Sequence, residues 1–335
     1  MFKFKIPAWL RTLSFIFLAS ILIYFAFRSV NLNEVWIYAK KANWGYVAIS
    51  FLIGYAAVIS RGNRWTLVLD GLNKSVPRWN AIHATAFGYL MNQVLPRAGE
   101  VARATALNRS DKIPVNILIG TIIIERTIDL LMMGILSGVT FILSSGEIQR
   151  FLSITDSGIS DDAQSSNNYL KITLMGSVIL IFILLFYLKK DKPNLFFNWI
   201  KNFISGMIDG IKSVGKLESK TKFWQHTIFI WACYFLMIYL CFFAFPFTEN
   251  LSIVQGLFVM TAAAIGYLVP VPGGVGAYHY LVAMALVVLG RSYEQGLAFA
   301  TVVHATQTLM MVSTGIVGFF ALTSKKVKSR SNGSD

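Results

Sequence analysis

Three charged residues, Glu125, Arg126 and Asp129, stand inside an otherwise apolar run from 113 to 143. On a helix Glu125 and Asp129 share a face at i, i+4, and Arg126 can pair with Asp129 at i, i+3. Charges in hydrocarbon are costly unless they pair or face water, so the trio points to the lining of a polar cavity. A structural ion pair between helices is the alternative. A second group, Arg97, Glu100 and Arg103, follows Pro96. Guanidinium forks match phosphate oxygens two at a time, which makes Arg97 and Arg103 candidate ligands for a phosphate. Ordinary topology-setting charge is the competing reading. The third group is Pro270-Val271-Pro272-Gly273-Gly274-Val275-Gly276. Proline cannot donate to a helical ladder and glycine tolerates unusual dihedrals, so the chain should break here and at Pro96. Amides around Gly273, Gly274 and Val275 would then open the next helix and suit a phosphate, a packing kink being equally open. The glycines lack the Lys-Ser/Thr of a nucleotide loop and dinucleotide spacing.

The four histidines have no metal spacing among themselves or with cysteine, and nothing resembles a nucleophile with its base. No catalytic residue, metal or cofactor is expected. His279, just after the glycine break, and His304 are kept as candidate binding residues. Arg61 and Arg64, next to Trp65, read as interfacial anchors, with headgroup ligands as the alternative. Cys233 and Cys241 lie on one apolar run, about 12 Å apart along a helix, and cannot pair within it.

The elements that hold these residues must be membrane helices. Of 335 residues 55% are hydrophobic and 14% charged, and the mean hydropathy is +0.59. A soluble domain carries about 25% charged residues, so soluble enzyme, disordered and disulfide-scaffold classes are excluded. The net charge of +14 sits between apolar runs, which is the positive-inside pattern and not a nucleic-acid footprint. The runs lie at about 12 to 27, 44 to 60, 79 to 95, 113 to 143, 170 to 188, 223 to 247, 251 to 269, 275 to 289 and 296 to 322.

Basic flanks put both sides of the polar run 79 to 95 in the cytoplasm, which makes it a re-entrant hairpin. The acidic, Ser/Asn-rich segment 144 to 169 reads as external. The lysine-rich segment 189 to 222, which includes an amphipathic stretch from Phe196 to Val214, and both termini read as cytoplasmic. Ala86-Phe87-Gly88-Tyr89-Leu90 is echoed by Ala264-Ile265-Gly266-Tyr267-Leu268, each before a proline and glycine cluster. Thr127, Leu130 and Met132 match Thr306, Leu309 and Met311 at a nearly constant offset, which sets His304 against Glu125. The expectation is an all-α polytopic membrane protein with about six full spans plus two re-entrant or broken helix pairs, about eight membrane segments if the second pair spans fully. Its repeat halves, about 44–143 and 223–322, would be inverted, with a site near the midplane between the breaks.

Arg61-Gly62-Asn63-Arg64-Trp65, the block from Asn92 through Leu95-Pro96-Arg97-Ala98-Gly99-Glu100 with Arg103, Glu125-Arg126 with Asp129, and Pro270 to Gly276 follow one another in a known order. The chain resembles the flippase-like transmembrane domain of bacterial lysylphosphatidylglycerol synthases over about residues 10 to 322. The resemblance implies a single integral membrane flippase-like domain, 1–322, with a basic cytoplasmic tail, 323–335, in the bacterial plasma membrane. It implies a phospholipid as substrate and a separate lipid-modifying enzyme as a further partner, without nucleic acid. The soluble aminoacyltransferase domain of two-part members is not expected, so no lysyltransferase activity is carried over. The chain has His279 where an acidic residue often follows the second glycine block, which bears on substrate charge and proton coupling. Arg97, Glu100, Arg103, Glu125, Arg126, Asp129, Gly273, Gly274, His279 and His304 are the expected substrate-binding residues. A non-transporting lipid-binding scaffold and a transferase acting on a lipid-linked substrate are the competing classes; the oligomeric state is left open.

Overall fold

The computed structural model describes residues 8–28, 30–147, 212, 214, 215 and 217–331. The apolar run 170 to 188, the amphipathic stretch 196 to 211, most of the segment 144 to 169 and the last four residues lie outside them.

Helix α1 (Ala8–Phe27) is followed by α2 (Leu32–Lys40), bent from it by 85°. Asn31 starts α2 by accepting the amide of Asn33 at 3.1 Å, and Glu34 and Lys40 sit at the ends that their charges favour. Helix α3 (Trp44–Asp70) opens in the same way, with Asn43 accepting from Gly45 N–H at 3.0 Å. Helices α4 (Arg78–Val94) and α5 (Gly99–Asp111) form a hairpin around Leu95–Ala98. Their approach depends on glycine, because a Cβ on Gly88 would stand 2.9 Å from Gly99 O. Helix α6 (Val115–Leu143) follows Pro114, whose fixed φ suits a helix start.

Helix α7 (Lys220–Phe242) leads to α8 (Ile253–Leu268), which starts with a reciprocal Ser252–Gln255 capping box. A 3₁₀ turn, Pro272–Gly274, separates α8 from α9 (Ala277–Val288), and α10 (Tyr293–Ser331) closes the bundle.

Two apolar clusters brace the ends of the assembly. Phe242, Phe245, Phe258, Tyr278 and Phe299 join α7, α8, α9 and α10. Trp65, Leu69, Leu107, Leu118 and Ile122 join α3, α5 and α6. Between them Val58, Ala86, Met237 and Met310 link α3, α4, α7 and α10. Helix α3 runs antiparallel to α7, with Arg64 against Thr227 and Ser50 against Met237, and antiparallel to α6, with Trp65 against Thr121 and Arg61 against Asp129. Small residues let α10 press on α4: a Cβ on Gly315 would lie 2.8 Å from Ala86 O.

The span count differs from expectation. Among the described residues three helices are long and apolar enough to cross a membrane, Trp44–Asp70, Lys220–Phe242 and Tyr293–Ser324, or four if the bent pair α1–α2 is one span. The expected six full spans with two broken pairs, and the eight-segment count, do not hold. Apolar runs overcount spans for identifiable reasons. Helix α6 is interrupted by three charges, the run 12 to 27 belongs to the bent pair, and the run 170 to 188 lies outside the described residues; α8 and the stretch Pro272–Val288, expected as a broken pair, are short. The bent pair lies at residues 16 to 40, not at either expected hairpin. The inverted repeat falls with the count, since the half 44–143 contains one long apolar span and the half 223–322 contains two.

Candidate functional site

The site grows from α3. Its apolar face continues past residue 60 through Trp65, Val68 and Leu69, and this carries Arg61 and Arg64 into the bundle, where both are buried. Two arginines one turn apart in low dielectric need carboxylates. Helix α6 supplies them at i, i+4. Asp129 meets Arg61, and Arg64 at 2.8 Å; Glu125 meets Arg64 at 3.4 Å, and Arg103 of α5. Neutral donors and acceptors complete the cluster. Arg61 donates to Tyr234 Oη at 3.0 Å and Arg64 to Thr227 Oγ1 at 3.2 Å, while Tyr89 and Tyr234 share a 3.2 Å bond between hydroxyls. Arg103 also lies against the ring of Trp65.

Above this cluster opens a cavity of about 460 Å³, within the range of sites that enclose a small ligand. Its charged lining is Arg61, Arg97, Glu100, Arg126 and Asp129. Arg126 pairs with Glu100 at 2.8 Å and remains part-exposed. Arg97 sits in the α4–α5 break at φ +61°, exposed, with no acidic partner among the described residues. The rest of the wall is largely apolar and rich in methionine, with Met133, Met237, Met260, Met310 and Met311. Among the described residues no group of His, Cys, Asp and Glu is placed to hold a metal ion.

The structure thus distributes the expected residues over three places. Arg97, Glu100, Arg126, Asp129, Gly273 and Gly274 line the cavity. Arg103 and Glu125 lie behind it in the buried ion cluster. His279 and His304 lie behind the 3₁₀ turn, their rings 4.7 Å apart, and are not part of the wall. His304 Nε2 donates to Gly273 O at 2.8 Å, since a carbonyl only accepts, and His279 Nδ1 accepts Gly276 N–H at 3.3 Å. The turn's own amides are also engaged, Gly274 N–H on Val271 O and Val275 N–H on Pro272 O, each at 3.2 Å. The amides of Gly274 and Val275 are therefore spent inside the turn, which favours the packing kink over ligand-facing amides, the two readings that the sequence left open. Glycine is required here for a different reason, because Gly273, Gly274 and Gly276 all have φ between +60° and +85°.

Arg126 pairs with Glu100 of α5 and not with Asp129, and Asp129 is taken by Arg61 and Arg64. The reading of Arg61 and Arg64 as interfacial anchors is corrected, since both are buried ion partners. The signal was present: Arg61, Arg64, Trp65, Val68 and Leu69 keep helical spacing beyond the end of the apolar run.

Comparison with known proteins adds a family and one relative. Residues 12–315 match the family described as Lysylphosphatidylglycerol synthase TM region. The UPF0104 membrane protein MJ1595 of Methanocaldococcus jannaschii is 25% identical over 134 residues, which is 38% of this chain and 38% of that protein's length. No solved structure matches the chain.

Proposed function

Because the chain belongs to the family of the lysylphosphatidylglycerol synthase TM region, we propose that its cavity takes the headgroup of a phosphate-bearing membrane lipid and that the protein moves this lipid between leaflets. One observation carries the reading: the cavity wall is graded along α3. At the level of Arg61 the wall holds Asp129, Tyr89 and Tyr234. Seven residues back, about 10 Å along the helix, a Cβ on Gly54 would meet the terminal methyls of Met237 and Met310 at 2.8 Å. On α6 the same change takes one turn, from Asp129 to Met133. A lipid has this order of chemistry, a charged phosphate joined to apolar chain, and flexible thioether side chains accommodate chains of varied shape.

In this reading Arg97 meets the phosphate, while Glu125 and Arg103 hold Arg64 and the α5 helix in place behind it. The family name also supports a separate lipid-modifying enzyme as partner. The basic flanks support a plasma-membrane setting with both termini in the cytoplasm.

Reconstitution into vesicles with fluorescent phospholipids, reading leaflet exchange by a membrane-impermeant quencher, tests the proposal. The parent should exchange lipid. Gly54→Val, which crowds the methionine level, should slow exchange several-fold in protein that still unfolds in one cooperative transition, its melting temperature lowered by the added packing strain. A folded parent that exchanges none of the lipids refutes translocation. Slow exchange in both proteins together with tight lipid retention identifies a lipid-binding scaffold.

A further inference from the structure

The charges around the cavity specify more than the presence of a phosphate. We propose that the cavity selects headgroups of net negative charge, a phosphate monoester above a diester, and rejects headgroups whose net charge is positive. This inference rests on the lipid reading of the same cavity.

Among the described residues, the cavity wall and the ion cluster touching it contain five arginines and three carboxylates. Glu125 and Asp129 are shared by three buried arginines, Arg61, Arg64 and Arg103, so that cluster keeps one positive charge in excess. Arg126 and Glu100 cancel. Arg97 adds a second excess charge, and its left-handed backbone holds it in the break beside the cavity.

The one excess charge of the buried cluster is costly unless an anion joins it, while Arg97 offers the second from an exposed position beside the cavity. At neutral pH a phosphate diester brings one negative charge, while a monoester brings roughly 1.5 to 2 and a further acceptor oxygen. Arginine forks suit such oxygens in pairs. An amine finds the opposite environment. Both oxygens of Asp129 face arginines, as do both of Glu125. The remaining carboxylate oxygen, Glu100 Oε2, is buried without a hydrogen-bond partner among the described residues, but the charge of its group is already matched by Arg126. A lysine ester on the headgroup would bring its ammonium among Arg61, Arg97 and Arg126, where among the described residues one unpartnered carboxylate oxygen, Glu100 Oε2, stands against three cations.

The experiment measures affinity in an uncharged detergent for four lipids with identical short acyl chains: phosphatidic acid, phosphatidylglycerol, phosphatidylcholine and the lysine ester of phosphatidylglycerol. Kd should rise in that order, roughly tenfold per unit of headgroup charge. Arg97→Gln removes one excess charge and should bring the monoester and diester to similar affinity, with the ligand-free melting temperature unchanged. Glu100→Gln adds one and should widen the gap. Equal affinity for all four lipids, or tightest binding of the lysine ester, overturns the selectivity and leaves the lipid reading standing. A folded protein that binds none of the four overturns both.

Discussion

Arg103 lies over the indole of Trp65, its guanidinium carbon 3.8 Å from the ring centroid, while the edge of the same group meets Glu125. The two contacts use different parts of one planar cation, its face for the π system and its edge for the carboxylate. Trp65 is fixed in turn by its Nε1–H, which donates to Thr121 Oγ1 at 2.9 Å. Helices α3, α5 and α6 are therefore tied through a single guanidinium. Lysine would keep the charge there and lose both geometries.

Glu125→Ala would leave Arg64 and Arg103 buried with less than their carboxylate complement. Breaking a buried pair from one side costs about 3–5 kcal/mol. Adding Arg103→Met should restore a substantial part of that loss, since the uncompensated cation is gone. Unfolding of the two single variants and the double variant in mixed micelles measures the coupling. Strictly additive losses would show that the pair is not an energetic unit.

Gly88 and Gly138 are both helical glycines, with opposite surroundings. A Cβ on Gly88 meets Gly99 O at 2.9 Å and Arg103 Cβ at 3.0 Å, whereas one on Gly138 meets nothing within 4 Å. Gly88→Ala should open the α4–α5 hairpin and lower the melting temperature. Gly138→Ala should raise stability by about 0.5–1 kcal/mol through helix propensity alone. Equal responses would mean that the hairpin does not depend on this close approach.

Arg97 is a non-glycine residue in the left-handed region, which costs roughly 1–2 kcal/mol. Arg97→Gly should therefore stabilise the protein by about 1 kcal/mol while weakening lipid binding, two effects of opposite sign from one substitution. Arg97→Lys should keep the strain and lose the fork. Thermal unfolding in parallel with lipid affinity separates them. If Arg97→Gly destabilises the protein, the side chain contributes more to folding than to ligand recognition.

The sequence revealed the charged trio on α6 and the interruptions near Pro96 and Pro272 because charge and proline inside apolar runs are local signals. Span number was not legible. Hydropathy cannot separate a lipid-crossing helix from one built around a charge cluster, so the run 113 to 143 reads as a crossing, while 251 to 269 and 275 to 289 read as a broken pair and are two short helices. Pairing was equally hidden. Helical spacing offered Arg126 to Asp129, but Arg61 and Arg64 arrive from 68 and 65 residues away by sequence and claim Asp129 first. The glycine cluster was found for its backbone freedom, yet its amides turn inward, a matter of hydrogen-bond closure that composition does not encode.

The 3₁₀ turn and the Leu95–Ala98 segment border the same cavity, and they differ in compliance. The turn is fastened to three helices: His304 of α10 holds Gly273 O, His279 of α9 holds Gly276 N–H, and Gly276 sits so close to α1 that a Cβ would stand 2.6 Å from Leu22 Cβ. The hydrogen bonds at Leu95–Ala98 stay within its own hairpin, Ala98 N–H on Leu95 O at 3.1 Å and Gly99 N–H on Asn92 Oδ1 at 2.7 Å. One border is thus cross-linked to three helices and the other only to its own hairpin, so moving the first would break contacts in three places while moving the second would break them in one.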